Sequence, residues 1–242
     1  MAFRFPRSVE RAVACQFLSL SPWILRRIVG PPRRSPDGLE LDLQLQALLW
    51  LIDTLKVPPL TGGDVQDARR SLDHSAPTLD LPLEPGVAAY DRSVEGADGP
   101  LRARVYVPQG GVRGASPGLV YFHGGGWVVG SIESHDRVCR ALAGRARLVV
   151  VSVDYRLAPE HPFPAAPRDA IAATRWVLAN ATSLGIDSAR VAVGGDSAGG
   201  NLSAVVSLQL RDDPARPAFQ LLVYPATDLT RSLPSHAMFR DS

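Results

Sequence analysis

Apolar residues follow two rhythms along this chain, and the change between them falls near residue 80. Before it the spacing is helical. Val13, Ala14, Phe17, Leu18, Leu20, Trp23, Ile24, Leu25 and Ile28 are interleaved with arginines, which predicts one or two amphipathic helices. Pro31-Pro32 and Ser35-Pro36-Asp37-Gly38 then mark a linker. Leu39, Leu41, Leu43, Leu45, Leu48, Leu49, Leu51, Ile52 and Leu55 predict a buried amphipathic helix that ends before Pro58-Pro59. Asp64 to Leu72, opened by Thr61-Gly62-Gly63-Asp64, reads as a further short helix.

Beyond residue 80 short apolar runs alternate with helical stretches. Val87 to Val94 and Leu101 to Val107, split by Glu95-Gly96-Ala97-Asp98-Gly99-Pro100, predict an antiparallel strand pair. Leu119 to Phe122 and Leu148 to Val153 are continuous apolar runs of the kind buried on both faces of a sheet. Helices predicted over Ser134 to Gly144, Ala166 to Thr182 and Ala198 to Leu210 alternate with strands at Arg190 to Val193 and Phe219 to Tyr224. Strands that alternate with helices require parallel pairing through right-handed crossovers. The expected class is therefore α/β, with residues 1–80 an N-terminal helical extension and residues 81–242 the core. Three prolines between Ala158 and Pro164 make that stretch a loop.

Composition narrows the partners. The chain has 242 residues and a net charge of +2, with Lys56 its single lysine, so its basic residues are almost all arginine. There is no basic run interleaved with aromatics, and a nucleic-acid partner is not expected. No uninterrupted apolar run approaches the roughly 20 residues of a spanning helix. Cys15 and Cys139 lie far apart, with neither metal-ligand spacing nor a disulfide framework, which points to a reducing, cytoplasmic setting. Residues 1–34 stand apart, because seven arginines (Arg4, Arg7, Arg11, Arg26, Arg27, Arg33 and Arg34) face the single acid Glu10. Three readings fit that segment: a helix capping the domain, an amphipathic face on an anionic membrane, or a signal peptide. Ser21-Pro22 breaks the apolar stretch, and no clean small-x-small cleavage site follows.

Candidate chemistry concentrates in two glycine-rich segments. Val191-Ala-Val-Gly-Gly-Asp-Ser-Ala-Gly-Gly200 places a Gly-x-Ser-x-Gly nucleophile elbow between a strand and a helix, which makes Ser197 a candidate covalent nucleophile. Gly195 and Gly199 are needed because flanking side chains would collide at so sharp a corner, and Asp196 is expected to orient the elbow or its loop. His123-Gly124-Gly125-Gly126-Trp127 follows a strand directly. Acyl transfer requires hydrogen-bond donors aimed where an oxyanion develops, and consecutive glycines let backbone N–H groups approach. Gly125, Gly126 and the N–H of Ala198 are the expected donors, with His123 bonding locally to shape the turn that begins at Gly124. His135 and His74 read as surface residues.

Three segments together resemble the hormone-sensitive-lipase-like family of α/β-hydrolases, the bacterial family IV carboxylesterases. They are His123 to Trp127, Asp154-Tyr-Arg-Leu-Ala-Pro-Glu-His-Pro-Phe-Pro-Ala165, and Gly195-Asp-Ser-Ala-Gly-Gly-Asn201. The resemblance covers roughly Leu39 to Asp228. It implies an α/β-hydrolase fold, a mostly parallel sheet with helices on both faces, and an N-terminal helical cap over an acyl pocket. It also implies a Ser, Asp and His triad, no metal or other cofactor, and short- to medium-chain acyl esters as substrates. In this light Asp154 and Arg156 are expected to satisfy each other structurally, and Glu160 and His161 are structural too.

A serine hydroxyl needs a base, and in this fold acid and histidine follow the serine. The family's two later strands, with their acid and histidine, have no counterpart in the fourteen residues after Asp228. The chain therefore reads as a C-terminally truncated homologue with little or no turnover. Ser197, Asp228 and His236 do occur in the required order. Asp228 is also explained as a structural residue of the Tyr-Pro-x-x-Asp turn, and nothing behind His236 fixes its rotamer. The last strand is expected to be a bare edge that invites self-association. A catalytically dead ligand-binding relative or a defunct fragment is the alternative.

Overall fold

The computed structural model describes residues 7–56, 63–110, 114–230 and 232–238. Arg4, Pro58, Pro59, Thr61 and Gly62, to which parts of the sequence reading apply, lie outside them. In chain order the elements are α1 (Arg7–Leu18), α2 (Pro22–Val29), α3 (Leu43–Thr54), α4 (Val65–Leu79), β1 (Val87–Glu95), β2 (Pro100–Pro108), β3 (Ser116–Phe122), α5 (Asp136–Ala146), β4 (Val149–Val153) and α6 (Ala165–Ala179). After a single 3-10 turn at Ala181–Leu184 come β5 (Ile186–Asp196), α7 (Ala198–Gln209), β6 (Phe219–Val223) and α8 (Pro234–Met238). Backbone contacts group the chain into two units. One runs Val65–Leu229, and the other takes the chain before Val65 and after Leu229.

In the smaller unit, Asp42 caps α3 by accepting from the N–H groups of Gln44 and Leu45. The leucine-rich run around it does not form the buried stripe that its spacing predicts. Leu39 and Leu55 fall outside the helix, and both are exposed together with Leu45. The first leucines of the run alternate with period two, so no single helical face collects them. Gln46 and Ala47 are buried instead. The Gln46 amide donates to the carbonyls of Val29 and Pro31 and accepts from the N–H of Arg33, so it satisfies the linker's backbone.

The larger unit is built on a sheet with strand order β1-β2-β4-β3-β5-β6. β1 pairs antiparallel with β2 and β2 with β4, while β4, β3, β5 and β6 are mutually parallel. The strict alternation of a strand divides its residues between the two faces. Val149, Val151 and Val153 join Val120 and Phe122 against Ala173 and Val177 of α6 and Leu202 and Val206 of α7. Val150, Leu119, Tyr121 and Tyr106 face the opposite way, onto Cys139 and Ala143 of α5. Both faces of the central strands are thus covered, as the unbroken apolar runs predict. β6 is an outer strand, with Phe219 and the following Tyr224 exposed. α4 runs about two turns further than its sequence signals, through Pro77 to Leu79.

Candidate active site

Register sets the site. Phe122 at the end of β3 pairs with Gly195 near the end of β5. His123-Gly124 and Asp196-Ser197 therefore leave adjacent parallel strands side by side, at the carboxyl edge where α/β sheets bind ligands. Ser197 takes φ +51° and ψ −113° at the corner between β5 and α7, a backbone conformation that L side chains rarely adopt. The surrounding hydrogen bonds hold it there. Its N–H donates to Val223 O at 2.9 Å, and its carbonyl accepts from Asn201 N at 3.0 Å and Ala226 N at 3.2 Å. The Tyr-Pro-x-x-Asp turn is fastened to the same corner, since Asn201 Nδ2 also donates to Ala226 O at 2.8 Å. A Cβ at Gly195 or Gly199 would be driven into the carbonyl oxygen of Phe122. Because that oxygen is backbone, no side-chain adjustment relieves the clash.

The glycine run is locked to the elbow through Asp196. Its Oδ1 accepts from Gly124 N at 3.0 Å and from Tyr121 Oη at 2.8 Å, and lies 3.3 Å from His135 Nε2. Burial opposes ionisation of Asp196, but the hydrogen bond from His135, with the bonds from Tyr121 and Gly124, outweighs it and holds the carboxyl below its ordinary value. His135, expected at the surface, is instead mostly enclosed, because α5 brings its start under the elbow. Gly125 sits at φ +121°, and its carbonyl accepts from Val128 N and Val129 N, which closes the turn. Ala198, the third expected donor, is buried at the first position of α7. Gly126 opens onto an apolar cavity of about 710 Å³, walled by Trp127, Phe163, Ile171, Leu202 and Val205. That volume suits a small-molecule ligand.

His123 is fully buried and bonds locally, with Nδ1 2.8 Å from Gly124 O. The carbonyl can only accept, so Nδ1 carries the proton. Tyr155 stacks on the ring at 4.4 Å and donates to His123 O at 2.7 Å. Burial, reinforced by the neighbouring His135, pushes the imidazole down to about 4, so His123 is neutral near pH 7.

One pairing differs from expectation. Arg156 does not pair with Asp154; it binds Asp169 of α6 through Nε and Nη2, both at 2.8 Å, and Asp98 through Nη1 at 2.8 Å. Glu160 is held by Arg69 of α4, which also donates to the carbonyls of Val128 and Ala158 and so joins both loops of the site. Asp154 instead meets a backbone hydrogen bond from Ile132 and the Arg102 guanidinium at 3.9 Å. Burial raises its carboxyl to about 6 despite Arg102. With its folded pKa above the unfolded value, stability present at low pH is lost as pH rises through about 6. Asp154→Asn should therefore stabilise the fold by about 1 kcal/mol near pH 8 and leave it unchanged near pH 4, after discounting for the partial exposure of the group. Urea midpoints at the two pH values check this, and equal shifts at both would contradict it.

A family model described as alpha/beta hydrolase fold matches residues 119–241, just over half of the chain. The chain belongs to the hormone-sensitive-lipase-like family of α/β-hydrolases. This α/β-hydrolase is 42% identical to the carboxylic ester hydrolase LipN of Mycobacterium tuberculosis, an alignment that takes in 96% of this chain and 64% of LipN. It is 47% identical to the carboxylesterase NlhH of the same species over 78% of this chain and 59% of that protein. Among solved structures, an ester-hydrolase from the metagenome of Lake Arreo in complex with a derivative of bipyridine phosphonate superposes with TM-score 0.73. It shares 45% identity, and the match covers 80% of this chain and 63% of that one. The hyperthermophilic esterase of Pyrobaculum calidifontis gives TM-score 0.68 at 43% identity, over 80% of this chain and 59% of that one. The α/β-hydrolase thus spans less than two thirds of the length of these relatives. Its structure brings Ser197, Asp196, Gly124 and His123 together. Asp228 lies in the sheet unit and His236, on α8, in the other.

Proposed function

We propose that this α/β-hydrolase is a serine carboxylesterase acting on short- to medium-chain acyl esters through an acyl-enzyme on Ser197. The observation that carries the reading is the forced backbone of Ser197 at the strand end, beside a glycine loop pinned to the preceding Asp196. Ser197 Oγ attacks the ester carbonyl carbon, its proton passes to a base, and the alcohol leaves with a proton. Gly125, Gly126 and Ala198 donate to the oxyanion that forms. Esterase relatives and the apolar cavity beside Gly126 support the substrate class. One structural relative holds a phosphonate derivative, which makes a fluorophosphonate the natural probe. Mass mapping of a single adduct to the Ser197 peptide is expected. Saturable binding of an apolar ester in the cavity without any adduct would instead favour a ligand-binding protein.

The N-terminal unit supports a further reading, peripheral contact with an anionic membrane. Trp23, Ile24 and Ile28 of α2 and Val9 and Val13 of α1 are exposed, and Arg27 lies over the Trp23 ring at 4.5 Å. Exposed apolar side chains with adjacent arginines suit an anionic interface. Co-sedimentation with phosphatidylglycerol vesicles and not with phosphatidylcholine is expected, weakened about tenfold or more in a Trp23→Ala, Ile28→Ala double variant. Equal partitioning to both lipids would contradict it.

A further inference from the structure

His135 is the residue of the site that the sequence least suggests. Its ring is enclosed, with Nε2 3.3 Å from Asp196 Oδ1 and Nδ1 2.9 Å from Ser134 Oγ. Ser134 is itself fixed, because its Oγ accepts from Ser131 N at 2.9 Å. Ser131 Oγ in turn donates to Asp73 of α4 at 2.6 Å. A continuous chain of bonds therefore runs from α4 through Ser131, Ser134 and His135 to the carboxylate that accepts from Gly124 N. Nε2 directs its proton to Asp196, while the Ser134 hydroxyl, which donates to Ser131 O at 3.0 Å, also lies against Nδ1 and fixes the ring plane.

We propose that His135 is a positioning residue for the oxyanion loop. By donating from Nε2 it fixes the Asp196 carboxylate, and Asp196 fixes the first peptide of the glycine run whose next two N–H groups receive the oxyanion. This rests on the assignment of Ser197 and the glycine donors made above. Asp196 Oδ1 is shared by three donors, of which only His135 comes from outside the two strands that carry the site, β3 and β5 with their immediate continuations. Its removal leaves the carboxylate to the hydroxyls of Tyr121 and Tyr224, and the Gly124 peptide loses a fixed acceptor. A displacement of a few tenths of an ångström at such donors lowers the reaction rate with little effect on ground-state binding.

The comparison that tests this is His135→Gln against His135→Asn. Both are small polar amides, but the Gln amide nitrogen reaches the place of Nε2, whereas that of Asn does not. Fluorophosphonate inactivation of Ser197 is measured at saturation, so that the limiting rate separates from the half-saturating concentration. The limiting rate is expected to fall about 10-fold or more in His135→Asn and to stay within about 3-fold in His135→Gln, with the half-saturating concentration unchanged in both. Amide hydrogen exchange at Gly124 is followed in the same proteins, with faster exchange expected in His135→Asn alone. Equal limiting rates in the two variants, or equal protection of Gly124, overturns the positioning role. The absence of any Ser197 adduct in the unaltered chain sinks the nucleophile assignment instead, and the exchange at Gly124 then decides the positioning role by itself.

Discussion

Ser197→Gly is expected to abolish covalent labelling and ester hydrolysis while making the fold more stable than Ser197→Ala. The two effects have separate causes. Loss of Oγ removes the proposed nucleophile, and in serine hydrolases the nucleophile and its partners act as a unit, so the fall in turnover is on the order of 10⁴-fold to 10⁶-fold of whatever rate the chain has. The stability effect comes from the backbone. At φ +51° and ψ −113° a residue with a Cβ carries strain of about 1–3 kcal/mol, and alanine retains that strain. Glycine releases it and gives back about 0.5–1 kcal/mol through its freer unfolded chain. The net advantage of glycine over alanine is about 1 kcal/mol, or roughly 3 °C in melting temperature for a domain of this size. Calorimetry on the two variants reads the second effect, and the fluorophosphonate adduct with a short-chain p-nitrophenyl ester reads the first. Hydrolysis that survives in both variants would falsify the nucleophile assignment. A glycine variant no more stable than the alanine variant would mean that the elbow stores no strain.

What was legible in the sequence is what local sterics dictate. The elbow could be read because Gly195 and Gly199 meet the Phe122 carbonyl whatever the rest of the fold does. The strand runs could be read because Val149 to Val153 must be buried on both faces. Side-chain partners distant in sequence could not. Arg156 finds Asp169 thirteen residues on, and Glu160 finds Arg69 ninety-one residues back. These pairs exist only once α4 and α6 have docked, and nothing in either neighbourhood marks one arginine or one carboxylate over another. His135 escaped for the same reason. Its signal lay in the alternation of β3, which sends Tyr121 and the start of α5 to one side of the sheet, so that a histidine at that helix start falls beneath the residue before Ser197. The leucines from 39 to 55 show the converse failure, because abundance of apolar residues without a consistent period names no face.

Asp169→Ala is expected to cost about 3–5 kcal/mol of stability. Asp169 is fully buried on α6, and both carboxylate oxygens are fully used. Oδ2 accepts from Arg156 N at 3.2 Å and Nε at 2.8 Å, and Oδ1 accepts from Arg156 Nη2 at 2.8 Å and Ala97 N at 3.1 Å. Truncation therefore strands two backbone donors and leaves the guanidinium with Asp98 alone, which is half exposed. Asp98→Ala, by contrast, removes a screened surface partner and should change stability by less than about 1 kcal/mol. The asymmetry between two acids on one arginine is the checkable result, read from denaturant midpoints, and comparable losses from both would contradict it. Function should follow stability here. Arg156 begins the loop whose Ala158 N–H donates to Trp127 O at 2.9 Å and whose Phe163 walls the cavity, so a loop freed from α6 also frees Trp127 and the wall beside Gly126. Asp169→Asn keeps an acceptor on one oxygen and should retain part of both properties. Hydrolysis of longer acyl esters, which depend more on the apolar wall, should then fall further than that of acetate esters in the same variant.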